Sequence, residues 1–266
     1  MLMANKVVFI TGGSSGIGKA AAEALRDMGC TVYEGSRRES VLPGITHLAL
    51  DVTDEASAVR AVNEVIAREG KIDVLINCAG SGISGAVEFT ENEAVRHQMD
   101  VNFLGTVNVT KAVLPHMRKA GQGRIVNISS VAAVFPIPFQ AFYSASKAAV
   151  NGYSMALANE VSPFGITVIA VQPGDIRTGF TASRAKSAVG DDVYNGRISR
   201  SVAVMERDEE NGMSPEAAGK RIGNIALRRR AKPVCTLGFS YQCLCFLQKI
   251  LPVSWINRLI GLIYAK

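Results

Sequence analysis

The chain alternates between short runs that are apolar at every position and longer stretches in which apolar residues recur every three or four. Val7-Val8-Phe9-Ile10 is a continuous β-rich run of the kind buried on both faces in a parallel sheet. KAAAEALRDMG follows at 19–29, with Ala20, Ala24, Leu25 and Met28 at helical spacing and Gly29 as a stop. The rhythm continues. Strands are expected at 31–33, 47–50, 73–77, 124–128 and 166–171, and helices over 54–69 (capped by Thr53 or Asp54), 96–119 and 142–161. This βαβα order predicts the α/β class, a doubly wound parallel sheet with helices on both faces. From 175 to 213 the pattern turns polar and irregular. A helix near 215–230, a short strand near 234–238 and an apolar tail close the chain. The organisation expected is a single domain over 1–266, with a core at 5–180, a variable loop at 180–213 and a helical tail at 239–266.

Composition narrows this little. At 266 residues, 48% apolar and 20% charged, the chain is globular and long enough for a large core. The net charge of +6 attracts phosphate groups or anionic surfaces. Arg228, Arg229, Arg230 and Lys232 form one basic cluster and Arg37 and Arg38 a smaller one, but no aromatic residues interleave a basic stripe, which argues against nucleic acid. Five cysteines without a CxxC pair and three scattered histidines fit neither a zinc site nor a disulfide framework, so no metal and a reducing cytoplasm are expected. MLMANKVVFITGG lacks the basic start, long apolar region and cleavage site of a signal peptide.

The turn TGGSSGIG at 11–18 joins the first strand to the first helix. Gly12, Gly16 and Gly18, with Ser14, Ser15 and Ile17 between them, let the backbone come close to a pyrophosphate at a helix N-terminus. This place in an α/β chain points to a Rossmann-like dinucleotide site. The second strand runs into VYEGSRRES. Ser36, Arg37 and Arg38 suit a ribose 2′-phosphate, whereas Glu34 at the strand's end would hold a 2′-hydroxyl. With Glu34 inside the strand, NADP(H) is expected and NAD(H) is the alternative. Asp51-Val52 ends the third strand, where Asp51 either accepts from the adenine amino group or caps a turn. Asn77-Cys78-Ala79-Gly80 ends the fourth in small residues, which suit either close cofactor approach or a tight turn.

TGGSSGIG, DV at 51–52, NCAG at 77–80, VN at 101–102, IVNISS at 125–130, YSASK at 143–147 and PGDIRT at 173–178 occur in the order found in short-chain dehydrogenases/reductases. The resemblance covers about residues 5–180. It implies hydride transfer between nicotinamide and a carbonyl or alcohol carbon. Tyr143 resembles the general acid in reduction and base in oxidation. Lys147 resembles the residue that binds the nicotinamide ribose and lowers the phenol's pKa. Ser130 resembles the hydroxyl that orients the substrate oxygen, and fits better than Ser129 because it lies thirteen positions before Tyr143, the usual spacing in the family it resembles. Asn102 resembles the holder of a water in the proton relay. Pro173, Gly174, Ile176 and Thr178 match the segment that contacts nicotinamide. Two features depart from the pattern. Cys78 stands where the family often has Asn, and no DGG motif follows the last strand, so a homo-oligomer is expected without the common tetramer-forming end.

The phenol–ammonium pair also stands on its own physics. Tyr143 and Lys147 are four apart and share a helix face. A free tyrosine titrates near 10, and a neighbouring ammonium and the positive nicotinamide ring favour its phenolate. Close to Ser130, VAAVFPIPFQAF supplies Val134, Phe135, Pro136, Ile137 and Phe139, a wall without ionisable groups. Phe180, Val189, Tyr194, Ile198, Val202, Val204 and Met205 come from the loop, which could close over a ligand. The expected substrate is therefore an apolar carbonyl or alcohol of steroid, retinoid or fatty type. The alternative is an NADP-binding sensor or scaffold without turnover, against which the intact Ser130, Tyr143, Lys147 and Asn102 argue. In the tail, Leu247, Leu251, Trp255, Leu259 and Leu262 recur at intervals of three and four, Pro252 is placed to start a second helix, and Lys249, Arg258 and Lys266 suit anionic headgroups. Packing of this stripe on the domain is expected first, ahead of a dimer surface or a peripheral membrane contact.

Overall fold

The computed structural model describes residues 5–230 and 232–265. Seven strands form one parallel sheet: β1 (Val7–Thr11), β2 (Thr31–Ser36), β3 (Ile45–Ala49), β4 (Val74–Asn77), β6 (Gly123–Ile128), β7 (Ile166–Gln172) and β9 (Val234–Thr236), in the order β3-β2-β1-β4-β6-β7-β9. Val8 lies opposite both Val32 and Val74, which puts β1 at the centre. Alternate residues of β1 feed two cores. Val7 and Phe9 join helices α2 (Glu55–Glu69), α4 (Gly105–Ala120) and α5 (Ala141–Val161), while Val8 and Ile10 join α1 (Gly16–Asp27) and α8 (Pro215–Leu227). Burial on both faces is why these strands read as unbroken apolar runs. Strand order reverses at β1 and β4, and the crevice beyond their carboxyl ends is where such sheets bind ligands. A single Rossmann-like domain results.

Three expectations needed correction. The helix expected over 96–119 is two helices, α3 (Asn92–Met99) and α4, joined through a π-helical turn at Asp100–Leu104. That turn carries Asn102, and π-turns of this kind recur at functional sites. The segment 175–213 is not irregular: it holds α6 (Phe180–Ser183), β8 (Ala185–Lys186), which pairs in parallel with β5 (Ile83–Ser84), and the 14-residue α7 (Arg197–Glu210). Ile198, Ser201 and Met205 give α7 its buried stripe among many charged neighbours.

The tail forms α9 (Phe239–Leu247) and α10 (Val253–Tyr264), with Pro252 at the N-cap of the second. The residues it buries are Ile256 and Ile260, packed on Val131 and Phe135. Leu251 packs partly against this cluster, but Leu247, Trp255, Leu259 and Leu262 of the expected buried stripe are exposed. Apolar residues surround α10 on most sides, so periodicity alone did not say which face turns inward. Lys266 lies outside the described residues.

Candidate active site

The glycine turn is built for close approach. Gly12 has φ +69°, and a Cβ there would meet the Ala79 backbone at 2.8 Å. A Cβ on Gly18 would stand 2.2 Å from the Gly12 carbonyl oxygen. At Gly16, φ is +54° and a Cβ would meet only the Thr178 side chain, at 3.7 Å, so the turn opens into the cavity. Ser15 caps α1 without a side-chain hydrogen bond, and no acidic residue sits in the first turn. A helix N-terminus with uncommitted N–H groups beside a glycine cradle fits a pyrophosphate.

A cavity of about 440 Å³ runs from this turn across the ends of β1, β4, β6 and β7. It brings together Gly12, Ser15, Gly16, Ile17, Gly18, Arg38, Ala79, Gly80, Ser130, Tyr143, Lys147, Pro173, Gly174, Ile176 and Thr178, all expected from the sequence. Several expected residues stand elsewhere. Ser14 is half-buried beside the turn but does not line the cavity. Ser36 is buried and donates to the Arg38 carbonyl at 2.9 Å, which shapes the loop that presents Arg38. Arg37 is exposed and lies in the field of Asp51. Asp51 accepts from the Thr53 hydroxyl and N–H, and these bonds draw its pKa down. Val52 is buried under Gly105. The Asn77 amide donates to Thr110 at 3.0 Å and Asn127 at 2.8 Å, a structural bracket between β4, β6 and α4. Glu34 lies inside β2 and is fully buried, with its carboxylate bonded to His47 and Ser40. Oε1 is thus committed and Oε2 is buried without a partner among the described residues, and Glu34 does not line the cavity.

Ser130 and Lys147 flank the phenol, and Asn102, which is buried and does not line the cavity, stands behind them. Ser130 hydrogen-bonds to Tyr143 and its hydroxyl also accepts from the Ala132 N–H at 3.1 Å. The neighbouring Ser129 is buried and donates to the Lys147 carbonyl, so Ser130 is the serine paired with the phenol. Lys147 Nζ donates to the Ile128 carbonyl at 2.9 Å and lies over the Tyr143 ring. Asn102 clamps the chain just beyond Gly80: its amide accepts from the Ser81 N–H at 2.8 Å and donates to the Ser81 carbonyl and the Ser146 hydroxyl. A Cβ on Gly80 would stand at ordinary contact distance from Asn102 Oδ1, 3.4 Å, and Lys147 Nζ, 3.6 Å, which places Gly80 directly beside both side chains. Burial pushes the Tyr143 phenol up to about 12, against the hydrogen bond from Ser130, and pushes the Lys147 ammonium down to about 8. The expected lowering of the phenol is not what the protein alone produces, because desolvation outweighs the charges around it.

The substrate side also differs from expectation. Of the wall residues, Ile137 lines the cavity, Phe135 is turned into the packing under α10, and Phe139 stacks edge-on against Tyr194 at 5.5 Å. Phe180 supplies the aromatic contact instead, 5.8 Å from the Tyr143 ring. The wall is not free of ionisable groups. Asp175 and Glu209 both line the cavity. Glu209 pairs with the buried Arg184 and accepts from Thr181 at 2.5 Å, and Asp175 accepts from the Tyr241 hydroxyl. Burial raises the Asp175 pKa. Both lie within 175–213, which the sequence pattern presents as polar and irregular, so neither stood out.

This site, with a dinucleotide cradle at one end and a serine–tyrosine–lysine cluster at the other, defines a nicotinamide-dependent oxidoreductase. The short chain dehydrogenase model matches residues 6–188, and the chain belongs to the short-chain dehydrogenase/reductase family. It is 48% identical over 230 residues to a 3-ketodihydrosphingosine reductase of Bacteroides thetaiotaomicron, covering 85% of this chain and 86% of that one. A short-chain dehydrogenase from Streptomyces avermitilis superposes with a TM-score of 0.83 at 31% identity over 94% of both chains. ElxO, solved with NADP bound, gives 0.74 at 27% identity over 90% of this chain and 99% of its own. The family uses NAD(P)(H), and the cradle, the open face at Gly16 and the crevice fit that group.

Proposed function

We propose that the protein reduces the ketone of a long-chain 2-amino-3-ketone, of which 3-ketodihydrosphingosine is the type, with NADPH as reductant. The observation that carries this reading is the carboxyl group of Asp175, in the same cavity as Tyr143 and an apolar wall and without a cationic partner of its own among the described residues, whereas Glu209 is already met by Arg184. Such a substrate bears an ammonium group on the carbon next to the ketone, and an opposite charge at that end favours it. A steroid or retinoid carbonyl has no cation to meet Asp175, so of the apolar classes the fatty one is preferred. The relative from Bacteroides supports the same choice. NADPH is favoured over NADH because Arg38 lines the cavity while Glu34 is buried inside β2 and does not.

The nicotinamide, when bound, supplies the hydride. The chain's residues handle the proton and the geometry. Ser130 and Tyr143 both present hydroxyls to the cavity and converge on one carbonyl oxygen. The phenol, held neutral by burial, donates its proton to that oxygen as it becomes an alcohol. The Lys147 ammonium behind the ring stabilises the phenolate left behind. Asn102 fixes the Ser81 backbone and Ser146 and so keeps α5 and the end of β4 in register. Phe180 packs against the Tyr143 ring on the cavity side.

The test is a substrate panel read by NADPH absorbance: 3-ketodihydrosphingosine, its N-acylated form, a long-chain ketone without the amine, and a steroid ketone. The expected order places the free amine first by at least about tenfold, from one charge-assisted contact. Equal rates for the amine-free ketone would contradict the substrate assignment and leave the reductase chemistry standing.

A further inference from the structure

The C-terminal helices present an apolar surface that none of the other described residues covers. On α10, Ile256 and Ile260 face the domain, and Trp255, Leu259 and Leu262 face away at spacings of four and three. Phe246, Ile250 and Val253 continue the exposed surface through the turn between α9 and α10. Trp255 is 66% exposed and Val253 75% exposed. Folding leaves large apolar side chains open to water in this number only where something else covers them. The surface is preformed, because the inner face is anchored by Tyr264 on Asp208 at 3.1 Å and by Arg197 on the Ala265 carbonyl at 2.7 Å.

The distribution of charge identifies the occupant. Residues 239–266, the segment that carries this surface, hold three basic residues, Lys249, Arg258 and Lys266, and no acidic one. Within the apolar surface the charges are Lys249 and Arg258, both exposed. A second copy docked face to face would bring these cations against themselves. An anionic bilayer would meet them with opposite charge and take the apolar side chains into its interface. Among the described residues no helix is long and apolar enough to cross a membrane. A tryptophan beside basic residues on an amphipathic helix suits the headgroup level. We infer that α9 and α10 form a membrane-surface docking face that seats the enzyme flat on an anionic lipid bilayer. The face lies behind Val131 and Phe135, on the far side of the cavity wall from Tyr143. The inference does not rest on the substrate assigned above.

Trp255 is the chain's single tryptophan, so its emission reports on this face directly. The experiment uses the full chain with phosphatidylcholine vesicles made with and without phosphatidylglycerol, read by flotation and by tryptophan emission. The expected result is co-flotation with the anionic vesicles and a blue-shifted emission. Leu259→Ser with Leu262→Ser should abolish both. Lys249→Gln with Arg258→Gln should weaken binding to anionic vesicles by about tenfold. All four residues are exposed, and unchanged NADPH binding verifies the fold in each variant. No flotation and an unshifted emission with anionic vesicles would overturn the inference. So would a concentration-dependent dimer that the leucine substitutions break, which would assign the face to a second copy.

Discussion

The Lys147 ammonium lies 5.7 Å from the centre of the Tyr143 ring and is tied to the Ile128 carbonyl at 2.9 Å. Burial moves the two groups in opposite directions, the lysine down to about 8 and the phenol up to about 12. Both are protonated below about 8. As pH rises, the lysine loses its charge first while the phenol keeps its proton. The value of kcat/KM for NADPH, which reports the free enzyme, should be flat below about pH 8 and fall above it. A pH–rate profile checks this. A limb that begins only well above 10 would mean that the phenol, not the lysine, sets it.

Arg38 and Arg37 are adjacent in sequence but not in role, since only Arg38 faces the cavity. Arg38→Ala should weaken NADPH by about 10- to 100-fold, the loss of a charge-assisted contact, with little effect on NADH. Arg37→Ala should change NADPH affinity far less. Fluorescence titration of both nucleotides against both variants separates them.

Gly18 has no room for a side chain, because a Cβ would stand 2.2 Å from the Gly12 carbonyl oxygen. Gly18→Ala should therefore displace the whole turn and remove dinucleotide binding, while Gly70→Ala, where nothing lies within 4 Å, serves as the control for a glycine with φ +73°. Nucleotide titration and thermal melting read the two effects: loss of binding for the first, a modest stability cost for the second.

Asp175 is proposed to meet the substrate's amine, and Glu209 to hold Arg184 beside it. Asp175→Asn keeps an acceptor for Tyr241 and removes the charge. It should raise KM for the amino ketone by about tenfold and leave the amine-free ketone unchanged. Glu209→Gln should also lower the melting temperature, since it strands the buried Arg184 guanidinium. Steady-state kinetics on the two ketones checks the first and calorimetry the second.

The central sheet was legible because strands buried on both faces must be apolar throughout, as Val7 to Ile10 are, and helices packed on one side must repeat every three or four. The choice of Ser130 over Ser129 also followed from sequence spacing and agrees with the geometry around Tyr143. The break around Asn102 was not legible, because a π-turn keeps the helical periodicity nearly intact. Helix α7 left a signal in Ile198, Ser201 and Met205, but charges at most other positions hid it. In α10 the difficulty was the reverse. Two overlapping apolar stripes fit the sequence, and only packing on Val131 and Phe135 chose Ile256 and Ile260. Asp175 and Glu209 come from separate segments and meet only in the folded cavity.

The proposed role of Tyr143 is to deliver the proton in reduction of a long-chain amino ketone. The most direct measurement follows NADPH consumed and dihydrosphingosine formed, mole for mole, by the parent and by Tyr143→Phe. The parent should convert 3-ketodihydrosphingosine with equal amounts of each. The variant should bind NADPH as tightly and turn over slower by about 100- to 10,000-fold, the usual loss of a positioned acid. A parent that binds NADPH and consumes none, or a variant as fast as the parent, would contradict it.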